Sequence, residues 1–239
     1  MDKEYLEYLT TAKNIDSDVI TKLINLFSDD ELKHTATRAL GNAITQLPAA
    51  IPTVRDKLRN SCCNTQYYII LSLRYAENAK VFVPDLVTFL TNENENLREI
   101  TANTLGEIHD LRPVQQLLQT MCQDPSKNVR YYAMHALCDL KDTTIIAQLI
   151  ELIQASNHEI RMYSIHILGK MCEDAAQAIP YIYPYLQDED PKMVAIAATA
   201  LGNMGDERAR SVLQEISQVG SPSYVLSARK ALQNLDSKR

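Results

Sequence analysis

His135 and His166 are the side chains with the clearest capacity for chemistry, since each stands two places before a leucine, Leu137 and Leu168, in consecutive stretches of similar sequence. Asp139 follows His135 by four residues, so a helix would carry both on one face, and a second imidazole one helix away would complete a set able to ligate a metal. Two features oppose that use. Packed helices lie ~8–10 Å apart, and the place that matches Asp139 after His166 holds Lys170. Nucleophilic catalysis is no better supplied: no Ser or Cys sits with a His and an acid in an evident arrangement, and no glycine-rich phosphate loop occurs. The five cysteines, Cys62, Cys63, Cys122, Cys138 and Cys172, form no CxxC pair, and their odd number and scatter suit reduced thiols in a cytosol. The adjacent Cys62 and Cys63 read as incidental residues of a short loop. The expectation is a protein that is not an enzyme and has no metal and no cofactor.

What would position these side chains is a repeat. Leucine returns at Leu40, Leu73, Leu105, Leu137, Leu168, Leu201 and Leu232, at intervals of 31 to 33 residues, and Gly41, Gly106, Gly169 and Gly202 follow four of them directly. A fixed period of this length marks a solenoid, in which each unit buries its apolar face only against its neighbours. Eight residues before the leucine stand Leu32, Thr65, Leu97, Val129, Ile160, Met193 and Tyr224, and four before it Ala36, Ile69, Thr101, Ala133, Ser164, Ala197 and Ala228. With the residue just before the leucine, these fall on one side of a helix, the B helix of each repeat, and their small side chains let neighbouring helices approach closely.

A second apolar pattern, the A helix, precedes most B helices, as in Ile51 to Leu58, Phe82 to Leu90, Ile145 to Ile153 and Ile179 to Leu186. Pro52, Pro84, Pro113 and Pro180 fall at or near the starts of these helices, where a missing N–H costs little, whereas Pro184 within its helix should kink or shorten it. The turns between A and B helices carry Asp, Ser and Asn, which can accept from the free N–H groups at the start of helix B.

The segments Asn128-Val-Arg-Tyr-Tyr-Ala-Met-His-Ala-Leu137, Glu159-Ile-Arg-Met-Tyr-Ser-Ile-His-Ile-Leu-Gly169 and Leu201 to Leu213 resemble HEAT repeats, in particular the short variety first described in phycobilisome lyases. Arg98, Arg130 and Arg161 fill the position where that pattern carries its arginine; Lys33, Gln66, Val194 and Val225 depart from it. The resemblance runs from about residue 17 onward and implies an all-α fold, a right-handed α-solenoid of about seven helical hairpins. Residues 1–239 then form a single solenoid, with 1–28 as N-terminal cap and first A helix and 222–239, ending in Asp236-Ser-Lys-Arg239, as the last B helix and C-terminal cap. Deoxyhypusine hydroxylases resemble this architecture and hold two irons with His-Glu pairs repeated on several B helices. Here the one adjacent His-Glu, His158-Glu159, precedes its helix, and Thr35 follows His34 where such a pair would begin. HEAT-like alkylpurine DNA glycosylases use a basic cleft with tryptophan, and this chain is acidic and has no Trp.

In repeats of this kind the B helices line the concave side, the usual binding platform. Positions six and two before each leucine face away from the core stripe: His34 and Arg38, Tyr67 and Leu71, Glu99 and Asn103, Tyr131 and His135, Met162 and His166, Ala195 and Thr199, Leu226 and Lys230. The middle of this row is aromatic, imidazole-bearing and apolar, with Tyr132 and Tyr163 beside it. Such a surface marks interaction sites. The expected partner-binding residues are therefore Tyr67, Leu71, Tyr131, His135, Met162 and His166; the alternative is that curvature half-buries them against one another. Arg98, Arg130 and Arg161 are expected to bond acidic or carbonyl partners in the adjoining turns and keep neighbouring repeats in register. Tyr181, Tyr183 and Tyr185 on the sixth A helix alternate too closely to share one face.

Composition narrows the partner. Apolar residues make up 46% and charged residues 23%, ordinary for a folded chain, with 6 Gly and 9 Pro. The net charge of −6 lacks the basic balance that releases phosphate counterions, so no nucleic-acid partner is expected. No basic leader or run of ~18 apolar residues is seen, which predicts no membrane partner and a cytoplasmic place. The function expected is a non-catalytic adaptor or scaffold that holds a protein or peptide on the concave B-helix face. The alternative is a lyase-type accessory subunit that holds a client protein or chromophore, as the resemblance to phycobilisome lyase components implies.

Overall fold

The computed structural model describes residues 3–12, 18–155, 157–219 and 222–237. Met1, Asp2 and residues 13–17 of the expected N-terminal cap, and Lys238 and Arg239 of the expected last B helix, lie outside the described residues. The chain divides into two compact units, Met1–Leu140 and Lys141–Arg239. Among the described residues the regular elements are helices and 3-10 turns, with no strand.

The first unit holds α1 (Lys3–Leu9), α2 (Val19–Asn25), α3 (Lys33–Gln46), α4 (Ile51–Asn60), α5 (Cys63–Ser72), α6 (Val83–Phe89), α7 (Glu95–Ile108), α8 (Val114–Gln123) and α9 (Lys127–Leu140). A and B helices pack as the pairs α2 with α3, α4 with α5, α6 with α7 and α8 with α9. The B helices then pack in chain order, α3 on α5, α5 on α7 and α7 on α9, while α1 covers α3. The second unit holds α10 (Ile146–Ala155), α11 (His158–Lys170), α12 (Ile179–Ile182), α13 (Pro191–Met204), α14 (Arg210–Val219) and α15 (Pro222–Ser237). Its pairs are α10 with α11, α12 with α13 and α14 with α15, and its B helices pack α11 on α13 and α13 on α15. The fold is an all-α solenoid of hairpins.

The B-helix stripe is the core. Every residue four before the repeat leucine, from Ala36 to Ala228, is buried, and so is every residue just before it, from Ala39 to Ala231. The leucines from Leu40 to Leu201 are buried as well, whereas Leu232 on the last B helix is half-buried and Leu235, one turn on, is buried in its place. The glycine after the leucine explains how near the helices come. A Cβ at Gly106 would stand 2.7 Å from Ala136 Cα, one at Gly169 2.7 Å from Ala200 Cβ, and one at Gly41 2.5 Å from the Ser72 carbonyl oxygen. Each contact joins the residue after one leucine to the residue before the next, so a repeating Leu-Gly and a repeating small residue are two halves of one packing device.

Starts and stops follow the local chemistry. Pro52, Pro84 and Pro180 sit in the first turns of α4, α6 and α12, and Pro113 sits at the N-cap of α8. Asn94 accepts from the Asn96 and Leu97 amides at the start of α7, and Asn157 accepts from Ile160 at the start of α11. Pro184 shortens its A helix as its missing N–H requires: α12 ends at Ile182 and the chain continues as a 3-10 turn, Tyr183–Gln187. Among the described residues no helix is long and apolar enough to cross a membrane.

Candidate functional site

In the first unit the expected row runs over α5, α7 and α9. Tyr131 is exposed (46%), and Tyr67, Leu71, Glu99, Asn103 and His135 are half-buried. The Tyr131 and His135 rings meet edge to face with centroids 4.3 Å apart, one helical turn from each other on α9. Tyr67 meets Tyr68 edge-on at 5.3 Å; Tyr68 itself is buried and packs on Phe27 at 5.4 Å. The beginning of α5 is held in place by side-chain amides: Asn64 Nδ2 donates to the Phe27 carbonyl at 3.1 Å and Gln66 Nε2 to the Leu58 carbonyl at 3.0 Å.

Between the N-terminal turns of α5 and α7 lies a cleft of ≈ 500 Å³, lined by Cys63, Asn64, Tyr67, Asn96, Leu97 and Glu99, with Tyr68 and Asn94 beside them. Burial raises the Glu99 carboxyl above the ordinary glutamate range, and the neighbouring Glu95 charge adds to the rise. Burial also raises the Tyr67 phenol, with Tyr68 and Glu99 contributing next. A carboxyl whose pKa is raised on folding binds its proton more tightly in the folded chain, so its charge opposes folding above the ordinary carboxylate range and not below it. Glu99→Gln should therefore raise the urea midpoint at pH 7 relative to wild type. That gain should vanish in acid, below about pH 4, where the unfolded glutamate is protonated too. A gain that persisted unchanged at pH 3.5 would remove the charge as its cause.

In the second unit, Met162 and His166 on α11 are half-buried. The adjacent Tyr163 is buried, contrary to its expected place beside an open face; its hydroxyl donates to Glu159 Oε1 at 3.1 Å along the same helix. His158 Nε2 lies 2.8 Å from Asp190 Oδ2, which links the N-terminal ends of α11 and α13. Asp190 is held below the usual carboxylate range by the Lys192 amide and then by His158.

Arg98 and Arg130 bond to a turn. Arg98 on α7 grips Asp124, in the turn between α8 and α9, through Nε at 2.7 Å and a second nitrogen at 3.1 Å, and its remaining nitrogen donates to the Asn92 carbonyl at 2.8 Å. Arg130 on α9 donates to the Asp124 carbonyl at 2.8 Å, and Arg161 is half-buried on α11. A cleft of ≈ 550 Å³ lies beside Arg98 between α6 and α8.

Several contacts were not foreseen. Asp85 on α6 is buried and accepts from Arg55 Nε at 2.7 Å and Arg59 Nε at 3.1 Å, a cross-repeat clamp between A helices. Asn42, Asn203 and Asn234 each stand two after a repeat leucine. Asn42 donates to the Leu9 carbonyl at 2.8 Å, Asn203 to the Gly169 carbonyl at 3.3 Å and Asn234 to Asn203 Oδ1 at 2.9 Å. The recurrence of Asn at that one repeat position was the available signal. On the sixth A helix Tyr181 and Tyr183 are exposed, with Arg208 stacked 4.4 Å over the Tyr183 ring, and the half-buried Tyr185 donates to the Ile153 carbonyl at 3.1 Å.

Among the described residues no three His, Cys, Asp or Glu side chains gather as a metal site, and all five cysteines are free thiols. Cys62 and Cys63 are exposed; a hydrogen bond with Thr65 lowers the Cys62 thiol, and burial raises that of Cys122.

Residues 114–179 and 174–233, together just over half of the chain, match a family model described as HEAT repeats. No curated protein sequence matches the chain. Among solved structures, the complex of CpcE and CpcF of phycocyanin lyase from Nostoc sp. PCC7120 is similar at a TM-score of 0.61 and 22% identity, over 76% of this chain and 75% of that one. The YibA protein of Escherichia coli is similar at a TM-score of 0.55 and 16% identity, over 99% of this chain and 93% of that one. Human deoxyhypusine hydroxylase aligns at a TM-score of 0.37 and 17% identity. The first two likenesses show the fold.

Proposed function

Because the chain belongs to the HEAT-repeat family, we propose that it is a non-catalytic adaptor or scaffold whose B helices hold a partner protein or peptide. The observation that carries this reading is the B-helix face of the first unit, where Tyr67 and Leu71 on α5 and Tyr131 and His135 on α9, to either side of Glu99 and Asn103 on α7, leave aromatic, aliphatic and imidazole surface wholly or partly open. Large side chains with few rotors contribute most of the affinity in protein interfaces. Met162 and His166 offer the same two repeat positions on α11 and take the same role in the second unit. Arg98, Arg130 and Arg161 are assigned to register; the bonds of Arg98 and Arg130 to the turn at Asp124 support the role, and Arg161 takes it by its matching repeat position. The net charge of −6 favours a protein over a nucleic acid as partner.

Affinity capture from the native lysate, with wild type beside a folded Tyr131→Ala, His135→Glu variant, tests the reading. The variant should recover the partner at least tenfold less well, the range expected when a central aromatic anchor is truncated. Equal recovery by both would move the site off these helices.

The likeness to the CpcE and CpcF complex favours one second reading, a lyase-type accessory subunit that holds a client protein or chromophore. Visible absorbance acquired on incubation with a bilin, and retained through gel filtration, would support it; a colourless protein would remove it.

A further inference from the structure

We propose that the cleft between the N-terminal turns of α5 and α7 seats a cationic side chain, an arginine or lysine carried by a partner segment, with Glu99 as its counter-ion. This deepens the adaptor reading and rests on it for the identity of the carrier. Three observations converge. First, Glu99 is half-buried, and among the described residues its carboxylate forms no hydrogen bond or ion pair, unlike Asp85, Asp124 and Glu107, each of which is taken by an arginine. A partly desolvated carboxylate without a partner is destabilising in the free chain and becomes favourable once a cation meets it.

Second, the space is shaped for more than water. The cleft of ≈ 500 Å³ is open at one side and holds the Tyr67 ring and the amide side chains of Asn64 and Asn96 beside Glu99. An aromatic face supplies cation–π attraction and an amide oxygen accepts an N–H, so the lining answers both the charge and the donors of a guanidinium or ammonium. Third, the cations near the cleft are engaged elsewhere: Lys33, 5.9 Å over the Tyr68 ring, donates to Asp30, and Arg98 grips Asp124. Glu95 lies near enough to raise the Glu99 carboxyl further, and Arg74, whose charge reaches Tyr67, donates its Nε to Glu107 at 2.6 Å.

The test uses the full ¹⁵N-labelled chain and a capped Gly-Gly-Arg-Gly-Gly peptide, followed by amide shift changes. The arginine peptide should move the amides of residues 63–68 and 94–99. Its citrulline analogue, the same shape without charge, should bind about tenfold more weakly, and Glu99→Gln should weaken the arginine peptide by a similar factor. Tyr67→Leu, which keeps the bulk and loses the ring, should weaken it severalfold. Equal binding of the citrulline peptide, unchanged binding by Glu99→Gln, or shift changes with free spermidine but not with the peptide would each overturn the proposal. The two readings fail separately. A partner captured through Tyr131 while the peptide does not bind would end the cation proposal alone; peptide binding without any captured partner would end the adaptor reading alone.

Discussion

Asp124→Ala should lower the unfolding free energy by about 3 kcal/mol, near the bottom of the range seen when one partner of a buried ion pair is removed. The Arg98 side chain is 11% exposed and that of Asp124 5%, so the guanidinium left behind cannot turn to water without carrying α7 with it. Asp124 has a second duty, accepting from the Ser126 amide at 2.8 Å at the entry to α9, and the truncation breaks that turn too. The bonds from Arg98 to the Asn92 and Glu93 carbonyls survive and keep the loss from reaching the top of the range. The double replacement Arg98→Met, Asp124→Leu should be milder, because it removes both buried charges and strands neither. Urea unfolding measures both. Faster hydrogen exchange should concentrate in α7, α8 and α9, since a repeat protein feels a defect most in the adjoining repeats. A loss below about 1 kcal/mol for Asp124→Ala would mean that the pair is solvated as a surface bridge is.

Gly106→Val should lower stability by about 3 kcal/mol, and Gly106→Ala by less although a helix ordinarily gains from it. Replacing Gly by Ala in a helix is worth ~1 kcal/mol in propensity. Against that gain stands a new Cβ 2.7 Å from the backbone Cα of Ala136 and 2.9 Å from its Cβ, a contact that no side-chain rotation relieves. The helices must separate, and overpacking of this kind typically costs 1–3 kcal/mol or more. Because part of the clash is with the Ala136 Cβ, the two sites should couple: Gly106→Ala should cost less in an Ala136→Gly background than in the wild type, while the contact with the Ala136 Cα keeps the recovery partial. A Gly106→Ala protein more stable than wild type would show that α7 and α9 have room between them.

The fold was legible because packing imposes a period. The leucine, the residue before it and the residue four before it, small in most repeats, recur wherever one B helix lies on the next, and all are buried from Ala36 to Ala231. Pro184 was legible for a local reason, since a missing N–H acts on its own helix. The candidate face was legible as a list of positions and not as a degree of exposure. How far Tyr67 or His135 is covered depends on the spacing of neighbouring helices, which a helical wheel does not contain; Tyr163, one position round, is buried against α11's own surroundings. The clamp of Asp85 by Arg55 and Arg59 joins residues 26 and 30 apart, and nothing in the spacing of one helix announces it. The cleft at Glu99 escaped for a related reason: Glu99 was in the row, but its lack of a partner emerges only when every nearby arginine is seen to be engaged elsewhere.

Site-specific photocrosslinking tests most directly the claim that the B helices are the binding face. A benzophenone side chain placed at Tyr131, on the α9 ledge, should yield a discrete heavier adduct in native lysate under light. The same group at Tyr181, equally open on the sixth A helix, should yield none, since the two positions are exposed to 46% and 41% and differ in which helix class they occupy. Adduct at residue 131 alone is the predicted result. Adduct at residue 181 alone would place the partner on the A helices and contradict the account.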